Sequence, residues 1–128
     1  HTNGIALQEG LLTDVSGGIY DFYDDMKRAN KSDDVIMFVF TEFGRRVKDN
    51  GNGTDHGSGG VAFVIGDQVE GGQYSEYPSL APDQLVEGDL RFNLDFRSLY
   101  TEMLEDWLEV DSRPVVKGEY EKVGFLKS

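Results

Sequence analysis

Two stretches of this 128-residue chain carry residue types that do chemistry: Thr41-Glu42-Phe43-Gly44-Arg45-Arg46 and Gly53-Thr54-Asp55-His56-Gly57. A neutral imidazole is the commonest metal-ligating side chain, and nearby glycines let a ligand come close to the backbone. His56 therefore reads as a metal ligand or as a structural histidine. Asp55 either ligates beside it or orients it by a hydrogen bond. Glu42 is a ligand, a general base, or the salt-bridge partner of Arg45 or Arg46, and the residue types alone leave all three open. Arg45 and Arg46 offer planar guanidinium groups that fit a phosphate or sulfate through paired hydrogen bonds. The competing reading for each is an ion pair with one of the chain's many carboxylates.

The elements that must position these residues follow from hydrophobic periodicity. Val35 to Phe40 is an unbroken apolar run, the pattern of a strand buried on both faces. Open α/β sheets hold their ligands just beyond the carboxyl ends of such strands, which is where Glu42 and Arg45 fall. Residues 46–60 read as a glycine-rich loop able to fold back over that strand end. Val61 to Ile65 is a second buried strand, neighbour of the first. Upstream, Ile5, Leu11, Leu12, Val15, Ile19, Phe22, Tyr23 and Met26 recur at steps of three and four, predicting a helix over 5–29. Its Gly17-Gly18 pair would let a neighbouring element approach. The polar run from Asn30 to Asp34 ends it. Helix into apolar strand is half of a β-α-β unit, so the fold class is α/β.

Downstream, residues 68–74 read as a hairpin return and 75–94 as ordered coil with a short edge strand at 89–94. Asp95 caps a helix whose stripe, Phe96, Leu99, Tyr100, Met103, Leu104, Trp107 and Leu108, faces a core. Trp107 is expected to be buried there. The tail from Asp111 is expected to lie extended against the body.

Composition narrows the function classes. Twenty-four acidic residues against twelve basic ones give a formal net charge of -12, which excludes a nucleic-acid partner, since phosphate contacts need clustered Lys and Arg. The absence of cysteine excludes disulfides and thiolate zinc sites. No apolar run is long enough to span a bilayer, and no dinucleotide, P-loop, serine-hydrolase or HExxH motif is present. The length bounds the chain at one domain. Its opening at His1, almost directly into a helical pattern, suggests a processed chain or a piece of something longer.

Thr41-Glu42-Phe43-Gly44-Arg45 followed by Gly53-Thr54-Asp55-His56-Gly57 resembles a secreted, sulfatase-like bacterial family of unknown function within the alkaline phosphatase clan. Gly71-Gly72-Gln73-Tyr74, Tyr77-Pro78-Ser79-Leu80, Gly88-Asp89-Leu90, Asp95-Phe96-Arg97-Ser98 and Leu104-Glu105-Asp106-Trp107-Leu108 extend the resemblance over essentially the whole chain. It implies that residues 1–128 are the carboxyl-terminal portion of an α/β/α sandwich of the alkaline-phosphatase and sulfatase type, exported to the periplasm or outside the cell. The implied activity is metal-dependent hydrolysis of small phosphate or sulfate esters. The nucleophile lies upstream of this chain, in the remainder of the same polypeptide. His1, Glu42, Asp55 and His56 surround a divalent metal, zinc or manganese, or calcium or magnesium in a more carboxylate-rich site. Arg45 and Arg46 hold the substrate. The sequence departs from the clan at Phe43, where an Asp-His ligand pair would place histidine. That departure supports the alternative, a non-catalytic binding or assembly module with a degenerate metal site.

Overall fold

The structure, a computed structural model, describes residues 4–127, with side chains from Leu7 onward. The chain divides into two compact units, one made of residues 4–67 and 78–91, the other of residues 68–77 and 92–127.

The first unit begins with α1 (Gly4–Arg28), which fills the helical span expected from the periodicity. Lys27 and Arg28 sit in its last turn, where cations complement the helix dipole. Asn30 then adopts a left-handed conformation, φ 53°, and the Lys31 N–H reaches back to the Met26 carbonyl at 2.8 Å. This is the usual way a non-glycine residue closes a helix. The apolar stripe is not covered along its length. Leu7, Leu11, Leu12 and Val15 are all more than half exposed, while Ile19, Tyr23 and Met26 are half-buried. The Tyr23 hydroxyl donates to Asp67, tying the end of α1 to the turn after the last strand. That bond, followed by desolvation, pushes the Tyr23 phenol up from its ordinary range. Gly17 and Gly18 meet no neighbour: a side chain built on either would contact nothing within 4 Å.

The two apolar runs do pair. β1 (Met37–Val39) and β4 (Phe63–Ile65) form a two-stranded sheet, with Met37 opposite Ile65 and Val39 opposite Phe63. The pairing is antiparallel, not the parallel one a β-α-β unit produces, and each strand is three residues long. Burial on both faces does not occur either. β1 is half-buried throughout, and Phe40, Val61 and Phe63 are more than half exposed. Residues 46–60 are not a loop: β2 (Gly44–Asp49) and β3 (Thr54–Gly57) make a second antiparallel pair. The architecture is thus mixed α/β with two small antiparallel sheets, and the described residues do not themselves build a three-layered sandwich. Residues 78–91 form coil with a 3₁₀ turn at Pro82–Gln84, and Val86 bridges Asp89 where an edge strand was expected.

The second unit holds the buried residues. Asp95 caps α2 (Phe96–Glu102) as predicted, its carboxylate accepting from the Arg97 N–H at 2.9 Å. After Glu102 the helix widens into a π turn, Met103–Trp107, with the Leu108 N–H on the Met103 carbonyl. Glu109, at φ 55°, ends it. The short α3 (Arg113–Val116) interrupts a tail expected to be extended throughout. Phe125, 2% exposed, and Val116 are the buried apolar side chains of the described residues. Trp107 is only half-buried, and Phe96 and Leu108 are exposed, because α2 packs against the tail over a narrow front. Residues 68–70 do not turn back on themselves. They pair with the tail instead: Glu70 N–H donates to Phe125 O, Lys127 N–H to Gln68 O, and Val69 bridges Leu126.

Candidate functional site

The residues singled out for chemistry converge on the base of the β2–β3 hairpin. In this register Arg45 lies directly opposite His56, and Gly44 opposite Gly57. Side chains alternate along a strand, so Phe43, Arg45 and His56 share one face. The Phe43 and His56 rings stack with centroids 3.5 Å apart and planes 15° from parallel. The Arg45 guanidinium lies 5.3 Å from the Phe43 ring centre, within the range in which a cation is attracted to an aromatic face. Arg45 Nη1 donates to the Thr54 carbonyl at 2.9 Å, which fixes the direction of the guanidinium.

The opposite face is made of glycine for a steric reason. A Cβ on Gly44 would stand 1.5 Å from the Gly59 carbonyl oxygen, and one on Gly57 would stand 2.8 Å from the Arg45 carbonyl carbon. The backbone of residues 59–60 is thus laid against the hairpin with no room for a side chain between. At the far end, Asn50 N–H closes the turn on the Gly53 carbonyl, and Asn50 Nδ2 donates to Asp55 at 2.8 Å. Between them the register slips. Four steps on β2, from Arg45 to Asp49, are matched by two on β3, from His56 to Thr54. Such a bulge re-aims side chains. Arg46 Nε ends 3.2 Å from Asp89 Oδ1, in an ion pair without hydrogen-bond alignment.

The expected ligand set is not assembled by these residues. No three His, Asp or Glu side chains among the described residues stand close enough to hold a metal ion. Glu42, Asp55 and His56 therefore do not form a three-donor site, and His1 lies outside the described residues. The physical reason is the strand. A loop can point adjacent residues the same way, but in β3 Asp55 and His56 face opposite sides. Of the two arginines, Arg46 takes the ion-pair role, whereas Arg45 makes no ion pair among the described residues. Phe43, which the sequence marks only as a departure from a ligand pattern, turns out to organise the cluster. Its two-residue spacing from Arg45 was the available signal, hidden because the partner strand that carries His56 read as loop.

A model of the family described as "Protein of unknown function (DUF1501)" matches residues 1–118. No curated protein and no solved structure gives a significant match. This corrects the resemblance drawn from the motifs. The matched family is described as one of unknown function, and nothing in the match indicates a sulfatase or the alkaline phosphatase clan.

Proposed function

The chain belongs to the DUF1501 family of proteins of unknown function, and from that premise we propose that it is a non-catalytic binding module for small anionic esters, phosphate or sulfate. The observation that carries this reading is Arg45. In a chain of net charge -12, an exposed guanidinium stands beside an imidazole without an ion pair among the described residues. One N–H is fixed on Thr54, which sets the plane, and the remaining N–H groups are left for an oxyanion. Phe43 supplies an apolar platform for the organic part of the ester. The three-layered sandwich belongs to the same proposal. The apolar β1–β4 pair, with Phe40, Val61 and Phe63 exposed, suits the middle of a broader sheet.

The test is calorimetric titration with phenyl phosphate and phenyl sulfate. Binding should weaken at least about tenfold in Arg45→Ala, since a charged hydrogen bond contributes roughly 1.5–3 kcal/mol. It should weaken in Arg45→Lys as well, because the planar fork is lost, and persist in Arg46→Ala. Equal binding by Arg45→Ala would sink the proposal. Hydrolysis of the same esters is the second reading. It requires a donor beyond Glu42, Asp55 and His56, and His1 is the one the sequence names. Stoichiometric uptake of zinc or manganese, with aryl phosphate turnover that His56→Ala abolishes, would replace the binding module by a metal-dependent hydrolase.

A further inference from the structure

Asparagine is among the thermolabile side chains. It is most open to attack by its own backbone where glycine follows, because no side chain shields the next nitrogen. Asn-Gly occurs at residues 3–4, 50–51 and 52–53, and Asn3 lies outside the described residues. The other two pairs sit in the turn between β2 and β3, and both asparagines are exposed. The turn requires its glycines. Gly51 has φ 93° and Gly53 φ 147°, conformations in which an L side chain is strained. The fold therefore keeps a reactive dipeptide at both places.

The two asparagines are held differently. The Asn50 side-chain amide is fixed at both ends: Nδ2 donates to Asp55 at 2.8 Å, and Oδ1 accepts from the Asn52 N–H at 3.0 Å. The nitrogen on which Asn50 would cyclise is engaged as well, the Gly51 N–H donating to Asp49 Oδ1 at 2.5 Å. The Asn52 side chain and the Gly53 N–H make no hydrogen bond among the described residues. Cyclisation needs the side-chain carbon brought onto the following nitrogen. At Asn50 these bonds must break first, whereas at Asn52 nothing has to be undone.

We propose that Asn52 is a site of spontaneous covalent modification, converting to aspartate and isoaspartate, while Asn50 is protected by its hydrogen bonds. Gly53 N attacks Asn52 Cγ and a C–N bond forms, its proton passing to hydroxide. The Cγ–Nδ2 bond breaks, and Nδ2 takes a proton from water and leaves as ammonia. Water then opens the five-membered imide. Cleavage at Cγ gives aspartate, and cleavage at the main-chain carbonyl gives isoaspartate. Either product adds a carboxylate to a turn that already carries Asp49 and Asp55. Isoaspartate also lengthens the main chain inside the turn that the Asn50 N–H closes on the Gly53 carbonyl. This inference does not rest on the anion-binding reading.

The experiment incubates the 128-residue chain at mildly alkaline pH, in buffer and in urea. Each site is followed by fragmentation mass spectrometry, and isoaspartate by methyltransferase labelling. In buffer Asn52 should convert at least about tenfold faster than Asn50, whose hydrogen bonds each slow it. In urea those bonds are gone, and the two rates should converge. Asp55→Ala removes an exposed acceptor and should speed Asn50 severalfold without changing Asn52. Circular dichroism checks that this variant stays folded; if it unfolds, the comparison of buffer with urea decides alone. The inference is overturned if Asn50 converts as fast as Asn52 in buffer, if the preference persists undiminished in urea, or if folded Asp55→Ala leaves Asn50 as slow as before.

Discussion

Both oxygens of the Glu102 carboxylate are occupied by backbone. Oε2 accepts from the Val123 and Gly124 N–H groups at 2.8 and 2.6 Å, and Oε1 accepts from Leu126 N–H at 2.8 Å. The side chain is 1% exposed, so it serves as the anchor of the tail rather than as a surface charge. Glu102→Ala should leave three buried donors without an acceptor and cost about 3 kcal/mol or more, at roughly 1–3 kcal/mol for each group left unmet. Denaturant unfolding measures it. A loss below about 1 kcal/mol would show that water replaces the carboxylate. The neighbouring ion pairs set the acid limit. The Arg97 hydrogen bonds hold Asp95 below the usual carboxylate range, the Ser112 and Lys122 bonds do so for Glu105, and the Arg113 bonds for Asp111. A carboxylate depressed in the folded state leaves the unfolded chain binding more protons as acid is added. Its stabilisation is complete above the ordinary carboxylate range, about pH 4, and is lost as the pH falls through and below it. The thermal midpoint should therefore drop between about pH 5 and pH 3, less steeply in Asp95→Asn.

α1 offers the clearest prediction among the elements. Gly17 and Gly18 lie inside it, and a Cβ on either meets nothing. Helical glycine is disfavoured against alanine by about 1 kcal/mol, so Gly17→Ala with Gly18→Ala should stabilise the helix by roughly 1–2 kcal/mol, read from circular dichroism and thermal melting. A fall in stability would mean that another surface needs the gap. α1, the strand pair 37–39 with 63–65, and the Asp95 cap were legible in the sequence, because each rests on local periodicity or on one side chain bonding its own turn. The β2–β3 hairpin was not legible. Gly-Asn repeats read as loop, and β2 has no apolar alternation, since its exposed residues answer to a cross-strand partner and not to a core. The same pairing changes the setting of the candidate site residues, which lie on a strand and not in a loop. Asp55 and His56 look like a ligand pair only where the backbone is free to bend.

Across the molecule, burial is concentrated in one unit. Phe125, Val116, Ser98, Thr101, Glu102 and Ser112 all belong to the unit formed by residues 68–77 and 92–127. Among the described residues of the other unit the fully buried positions are Gly44 and Gly59, glycines that bring no apolar side chain. Amide protection follows buried contacts and internal hydrogen bonding. Hydrogen exchange should accordingly be slowest in residues 96–126, and within minutes near complete in 4–18 and 44–57. Uniform protection across the chain would show that the exposed apolar residues of α1 and β4 are covered in solution. Tail pairing was invisible in the sequence, because nothing local links Val69 to Leu126.

The backbone crossing at Gly44 and Gly59 also has a consequence for descent. Any heritable change that puts a side chain at 44 or 57 must push main chain against main chain, and one at 59 must push against Leu90. Those three positions leave no room for a side chain, whereas Gly10, Gly17, Gly18 and Gly71 face open space. Across a pool of every single replacement, passed through selection for folding, positions 44, 57 and 59 should return as glycine alone, while 10, 17, 18 and 71 should come back in many spellings.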